Sequence, residues 1–349
     1  VYTQGHFWTR MTTVGWGSQM VFITIDLGQD QPIKGLSFNT AAGVAQVHWP
    51  ARILVFVSPD NKQRYDAGNL LTLNAPHNNL PEYGQYAIRR IWTDQLKTHG
   101  RYVCLCVEAG LGGYTFVDEI EVFGGPTDFL QLAYAGQAFD SPKERMRRSV
   151  ADDLLRAQFR RGLDAVRDDI AALPKNAQGK LTALADSLAG RIGEYRAPDL
   201  TTLRAVLPVD PLEADIFRLQ ALVWRAAGKP TLRAWGINRW EPVDSFSEPA
   251  AAGPAQAVEV HTMNHEWRAG VVNLTNAGDA DLRVRLKVTG LPGGDNPPYL
   301  QAHEVLTVGT RRFVPVSSAL PEARREGRDF IISVPCGMTR QVWLSFKPE

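Results

Sequence analysis

Cysteine is scarce: the 349 residues contain only three. An odd, small number excludes a disulfide scaffold, and neither the spacing nor a second pair fits a zinc finger. Cys104 and Cys106 lie two apart in Tyr-Val-Cys-Leu-Cys-Val. On a strand they share one face and are badly placed to bridge each other. With Cys336 they read as inert, buried apolar residues. No stretch approaches the ~18 uninterrupted apolar residues of a membrane span. Charge of one sign is also lacking, with 38 Lys and Arg against 37 Asp and Glu. That balance argues against a nucleic-acid binder, which carries a basic excess or stripe. There is no phosphate-cradling glycine loop, no Gly-x-Ser-x-Gly elbow and no dinucleotide fingerprint after a strand. Internal repeats and low-complexity tracts are missing too. The chain opens at Val1 without Met or a signal-like hydrophobic segment. We read that as a processed or trimmed start, which leaves localisation open.

What is present is the composition of a folded globular chain, 44% hydrophobic and 21% charged. From residue 1 to 126 the pattern is short β-type runs between turns. Met20 to Leu27, Ile33 to Asn39, Arg52 to Ser58, Arg101 to Val107 and Phe116 to Phe123 each read as a strand. Runs of β-branched and aromatic residues at this spacing, with no helical pattern between them, predict an antiparallel sandwich. Gly110-Leu-Gly-Gly113 falls between two of these strands and reads as a hairpin turn.

The period changes from 127 to 228. Ser141-Pro142-Lys143-Glu144 has the order of a capping box at a helix start. Met146, Val150, Leu155, Phe159, Leu163, Val166, Ile170 and Leu173 then recur mostly at three or four residues until Pro174. Leu181, Leu184, Leu188 and Ile192 mark a second helix. A third starts at Asp210-Pro211 and ends at Gly228, and a short helical turn is expected over Leu200 to Leu207. Residues 229–254 form a linker, clearest over Ser247 to Pro254. From 255 to 349 alternation returns in Val258 to His261, Ala269 to Thr275, Leu282 to Val288 and Val342 to Phe346, with a turn at Gly290 to Pro298. These short half-buried strands suggest an immunoglobulin-like sandwich.

Candidate chemistry is sparse. His261, His265 and Glu266 do not have the order of a zinc-protease motif and read as surface or structural residues. Arg283, Arg285 and Lys287 alternate as the solvated face of a strand, without interleaved aromatics. Asp152/Asp153 and Asp168/Asp169 fall on the polar side of the long helix. Asn273-Leu-Thr275 fits a glycosylation acceptor by pattern. The best functional clue is aromatic. Trp8, Trp16, Trp49 and Tyr114 fall in loops or at strand ends, with His6, His48 and Arg52 beside them. Aromatic faces stack on the C–H face of a pyranose while polar side chains reach its hydroxyls. The bland alternative is that some of these rings, Trp49 above all, plug the ends of the sandwich.

In order, Phe22-Ile-Thr-Ile-Asp-Leu-Gly28, Pro32-Ile-Lys-Gly-Leu36, Trp49-Pro-Ala-Arg-Ile-Leu-Val-Phe-Val-Ser-Pro-Asp60, Gly100-Arg-Tyr-Val103 and Val117-Asp-Glu-Ile-Glu-Val-Phe-Gly124 form a set. With it the first zone resembles a discoidin-type (coagulation factor 5/8 C-type) galactose-binding-like domain. In this it looks similar to family 32 carbohydrate-binding modules. The resemblance implies a jelly roll with its ligand on loops at one end, here His6 to Trp16, Thr40 to Trp49 and Gly110 to Tyr114. The acidic residue that opens the last strand of such domains often helps hold a structural calcium, and that position is Glu119. His265-Glu-Trp-Arg268, Val272-Asn-Leu-Thr-Asn276, Gly290-Leu-Pro-Gly293 and Gly337-Met-Thr-Arg-Gln-Val-Trp-Leu344 resemble the β-sandwich that precedes the catalytic barrel in some bacterial glycoside hydrolases. The implied whole is a mainly β, multidomain chain: jelly roll, helical bridge, second sandwich. It would be the polysaccharide- or oligosaccharide-binding accessory region of a secreted or periplasmic hydrolase, with a catalytic domain following Phe346-Lys-Pro348. Two alternatives stay open. In one, the chain is itself a glycoside hydrolase or lyase, with an inter-domain site near Trp235, Arg239, Trp240 and Glu241. In the other, it is a structural or protein-binding module.

Overall fold

The computed structural model describes residues 6–17, 20–76, 79–110, 113–134, 136–198, 201, 203–241, 243–249, 258–311 and 314–348. The chain is mainly β, with several sheets and four α-helices among the described residues, and divides into two compact units, Val1–Val150 and Ala151–Glu349.

The first unit contains β1 (Val14–Gly17), β2 (Met20–Ala42), β3 (Arg52–Ser58), β4 (Arg64–Asn69), the short α1 (Leu70–Asn74), β5 (Ala87–Thr93), β6 (Thr98–Glu108), β7 (Tyr114–Val117), β8 (Glu119–Gly124) and β9 (Ala138–Phe139). The first two strands read from the sequence are the halves of one long strand, β2. Its register against β6 shifts between Asp26 and Gln31. The β2–β6 pairing runs from Met20 through the shift to Ile33. From Ile33 onward β2 pairs with β8 on one side, and from Leu36 with β5 on the other. Changing partners in this way lets one strand serve both layers around a single core. Leu36, Phe38 and Ile91 from one layer meet Ile53, Val55, Val57, Val103, Leu105 and Val107 from the other.

Strands β3 and β6 are apolar without alternation because both of their faces are covered. Side chains alternate in direction along a strand. Leu54, Phe56, Cys104 and Cys106 therefore face away from the main core, and Phe139 and Met146 cover them. Met146 belongs to the start of α2 (Pro142–Ala172). The three cysteines are free and buried, as the sequence suggests. Gly110 to Gly113 does not form a hairpin: β6 and β7 belong to different sheets. The Gly113 amide donates to the Gly110 carbonyl at 2.9 Å, while residues 111 and 112 lie outside the described residues.

In the second unit, α2 packs with α3 (Lys175–Glu194) and α4 (Pro211–Ala226) through Phe159, Leu163, Val166, Leu188, Ile192, Ile216 and Leu219. Asp210 caps α4 by accepting from the Leu212 amide at 2.7 Å, with Pro211 in the first turn. Residues 203–208 are irregular rather than helical, and residues 200 and 202 lie outside the described residues. The linker expected over Ser247 to Pro254 also falls largely outside them.

The strands that follow are β10 (Leu232–Trp235), β11 (Arg268–Asn276), β12 (Leu282–Leu286), β13 (Leu300–Glu304), β14 (Thr307–Arg311), β15 (Val314–Ser318), β16 (Arg324–Glu326), β17 (Asp329–Val334) and β18 (Thr339–Phe346). They form sheets in the orders β10-β11-β18-β13, β12-β17-β16 and β14-β15. Leu274, Leu300, Phe330, Ile332, Val342 and Leu344 fill the core of the first two. Val258 to His261 is not a strand, contrary to its alternating sequence. Val258 and Val260 lie where a side chain at Gly270 would project, so this segment rests on the face of β11 instead of joining a ladder. Gly337 brings the β17–β18 turn against α4: a Cβ there would sit 1.6 Å from the Phe217 carbonyl oxygen, at a φ of +74°.

Candidate functional site

At one end of the first unit, loop segments and strand β7 carry a run of aromatic rings. A 3-10 turn, Phe7–Thr9, starts it. Phe7 is fully buried and anchors the turn, its amide donating to the Tyr86 hydroxyl at 2.8 Å. Thr9 and Thr13 bind back to the carbonyls of His6 and Phe7 at 2.7 and 2.9 Å. With its middle fixed, the turn presents His6 and Trp8, whose rings stack 4.8 Å apart and within 2° of parallel. The edge of Tyr86 meets both, at 5.0 and 5.6 Å. Trp8 continues to Phe116 at 5.8 Å, and Phe116 to Tyr114 at 6.4 Å.

The β1–β7 ladder explains where Phe116 and Tyr114 point. Gly15 pairs with Phe116, Trp16 with Thr115 and Gly17 with Tyr114. Opposed residues share a face. Phe116 and Tyr114 therefore lie over the two glycines, and a Cβ at Gly15 would come within 2.2 Å of the Phe116 ring. Trp16 and the fully buried Thr115 occupy the other face, with Trp16 packed against the main core. Its indole N–H is buried without a partner.

A second pair of rings, His48 and Tyr83, is joined to Tyr114 through the backbone. The His48 amide donates to the Tyr114 carbonyl at 3.1 Å, and the His48 ring stacks on Tyr83 at 4.5 Å. Trp49 is half-buried and its indole N–H donates to the Pro81 carbonyl at 2.7 Å. Tyr83 is 54% exposed, Tyr114 50% and Tyr86 38%. These values mark open faces rather than core plugs.

The structure thus joins His6, Trp8, Tyr114 and His48 at one rim. Trp16 is separated from them by the thickness of its strand, and Trp49 is tied to the Leu80–Gln85 loop. Arg52 forms an ion pair with its cross-strand partner Glu108. Glu119 is exposed on β8 opposite Asn39. Among the described residues no three His, Cys, Asp or Glu side chains converge to hold a metal ion. The neighbouring Asp118 accepts from Asn39 at 2.7 Å, with the Arg10 guanidinium at 3.9 Å. Sequence reasoning passed over Tyr83, Tyr86 and Phe116. The rule that found Trp8 applies equally to Leu80-Pro-Glu-Tyr-Gly-Gln-Tyr86, where two tyrosines flank a glycine.

Elsewhere, the acidic groups with raised pKa have structural partners. Burial pushes the Glu213 carboxyl up, but its two oxygens accept from the Val209 amide at 2.7 Å and Gln158 at 2.6 Å, closing the start of α4. Asp169 is raised by burial and accepts from Gln220 at 2.7 Å. Arg283, Arg285 and Lys287 pair with Glu326, Asp329 and Asp295 on a solvated face. Asn273 is fully buried, so the glycosylation pattern cannot be used in the folded chain.

No protein-family model matches this chain, and no relative is found among curated proteins. Solved structures similar to part of it include CpGH89CBM32-5 from Clostridium perfringens, in complex with GalNAc-β-1,3-galactose. That match has 19% identity and a TM-score of 0.21, and covers 30% of this chain and 65% of the module. Another is a pectin-binding carbohydrate-binding module, with 10% identity and a TM-score of 0.21, covering 33% of this chain and 73% of that one. The chain therefore spans less than two thirds of the length of the first of these.

Proposed function

We propose that the first unit is a carbohydrate-binding module of discoidin-like jelly-roll type and that its ligand lies on the aromatic rim. The observation that carries this reading is the unbroken ring sequence His6–Trp8–Phe116–Tyr114, with Tyr86 at its edge and part of its surface open to water. A pyranose has one face of C–H groups and a girdle of hydroxyls. Trp8 and Tyr114 offer flat apolar surface to the former, while the His6 and His48 imidazoles and the tyrosine hydroxyls exchange hydrogen bonds with the latter. A shallow rim binds weakly, because every hydroxyl bound must first give up water. In this reading the immunoglobulin-like second sandwich is of the kind that precedes a catalytic barrel. The chain serves as the polysaccharide-targeting region of an extracytoplasmic glycoside hydrolase.

A glycan array probed with the wild-type chain and with Trp8→Ala and Tyr114→Ala tests the rim, alongside a reducing-sugar assay on the same samples. The expected result is a defined set of bound glycans, lost in both variants at nearly unchanged melting temperature, with no reducing ends released. Equal binding by wild type and both variants would refute the rim assignment.

A further inference from the structure

We infer that the second unit carries a separate site for a neutral saccharide, centred on Trp240. The inference does not depend on the aromatic rim, since every residue it uses lies in the other unit. A cavity of about 520 Å³ opens there, within the range of small-ligand sites. It is lined by the segment from Gly236 to Trp240, by Val258 and Glu259, and by β11 from Ala269 to Val271.

The local sequence builds this lining. The Asn238 side chain accepts from the Trp240 amide at 3.0 Å, and its carbonyl from the Glu241 amide at 2.9 Å, closing a turn with Trp240 near its apex. Arg239 ties that turn to β11 by donating to the Ala269 carbonyl at 2.6 Å. The missing side chain of Gly270 leaves room for Val258; a Cβ would approach it to 2.3 Å. The next residue, Glu259, also lines the cavity, its carboxylate exposed and 4.0 Å from the His261 ring. Trp240 itself is 75% exposed, yet it is supported by the edge of Trp343 at 6.4 Å and the Arg239 guanidinium at 5.3 Å.

An exposed indole held in place beside a cavity is a platform for a flat apolar surface. The polar groups around it are an amide, a guanidinium and a carboxylate: Asn238, Arg239 and Glu259. One positive and one negative group leave no net charge to attract an acidic or basic ligand, while all three exchange hydrogen bonds with hydroxyls. A flat C–H face with a girdle of hydroxyls and no charge is a neutral pyranose. With the rim it would give the chain two points of attachment to one polymer, which raises overall retention beyond either site alone.

Affinity electrophoresis of the full chain in gels containing galactan, xylan, mannan, mixed-linkage glucan or polygalacturonate decides the matter. The proteins compared are the wild type, Trp240→Ala, Trp240→Phe, the rim double variant Trp8→Ala/Tyr114→Ala, and the triple variant. The expected result is residual retardation of the rim double variant in at least one neutral gel. It should fall roughly tenfold on adding Trp240→Ala and be largely kept by Trp240→Phe, with melting temperatures unchanged. Equal retardation with and without Trp240→Ala in every neutral gel would overturn the second site, as would absence of retardation in all of them. Retardation confined to polygalacturonate would overturn its neutral specificity. The rim fails separately, if Trp8→Ala/Tyr114→Ala migrates like the wild type.

Discussion

The ring of Phe116 occupies the space that a side chain on Gly15 would fill, its nearest carbons 2.2 Å from the Cβ position. The two residues are directly opposed in the β1–β7 ladder. An aromatic side chain lying over a cross-strand glycine shields that glycine's backbone and gains packing surface in return. Here the same ring supports Trp8 at 5.8 Å and adjoins Tyr114 at 6.4 Å. Gly15→Ala should push Phe116 outward and break the ring sequence at its centre. The expected cost in stability is about 1–2 kcal/mol, because a half-buried ring can move aside. Glycan retention should fall much more than the melting temperature. Chemical denaturation read beside glycan binding checks the pair of effects.

Trp8 and Trp16 are both tryptophans on one short segment, and the structure assigns them opposite duties. Trp16→Ala removes core packing and should cost about 2–4 kcal/mol, somewhat less than a fully buried tryptophan. Trp8 is half-buried too, but it packs on the rings of the rim and not on the main core, so Trp8→Ala should cost less, about 1 kcal/mol. Trp16→Phe keeps most of the packing and removes an indole N–H that has no acceptor, so it should be tolerated within about 1 kcal/mol. Urea denaturation midpoints of the three variants test this ranking. A Trp8→Ala midpoint as low as that of Trp16→Ala would contradict the placement of both rings.

Much of this was legible in the residues, and the exceptions share a cause. The long α2 and the capped α4 announce themselves through spacing and capping chemistry, which are local. Burial of Cys104 and Cys106 followed from an apolar run that does not alternate. The direction of Trp16 was hidden, because Val14-Gly-Trp-Gly17 reads as a loop until β7 is known to pair with it. Unity of β2 was hidden too, since the Asp26–Gln31 irregularity looks like a turn unless its partners on both sides are seen. Val258 to His261 has the period of a strand, and only contact with Gly270 shows that it lies on a face. The rim was half legible: rings in loops can be picked out one by one, but their sequence of contacts belongs to the fold.

The thiols provide an independent test of the cores. Burial, with smaller contributions from Cys104 and Glu108, pushes the Cys106 thiol up to about 12. Cys336 is also raised by burial, and its thiol donates to the Gly278 carbonyl at 3.2 Å. Reaction requires the thiolate and access to it. A disulfide reagent such as Ellman's should therefore leave the native chain unmodified at pH 8 and titrate three thiols in guanidinium. Rapid labelling of any one of them in the native chain would show that its core opens on the timescale of mixing.

Glu213 makes the second unit's stability depend on pH in a predictable sense. Burial raises its carboxyl above the usual glutamate value of 4.5, and the hydrogen bonds from Val209 and Gln158 only partly oppose this. A group whose pKa is higher in the folded chain binds its proton more tightly there. Its contribution is greatest below the unfolded value and is lost as pH rises through the folded one. Glu213→Gln is neutral at every pH and keeps one acceptor and one donor at the start of α4. The stability of the wild type relative to this variant should therefore decline as pH rises from the unfolded value through the folded one, and be level on either side of that interval. Urea denaturation of both proteins at half-unit pH steps gives this difference directly. A flat difference would mean that the carboxyl titrates alike in the folded and unfolded chain.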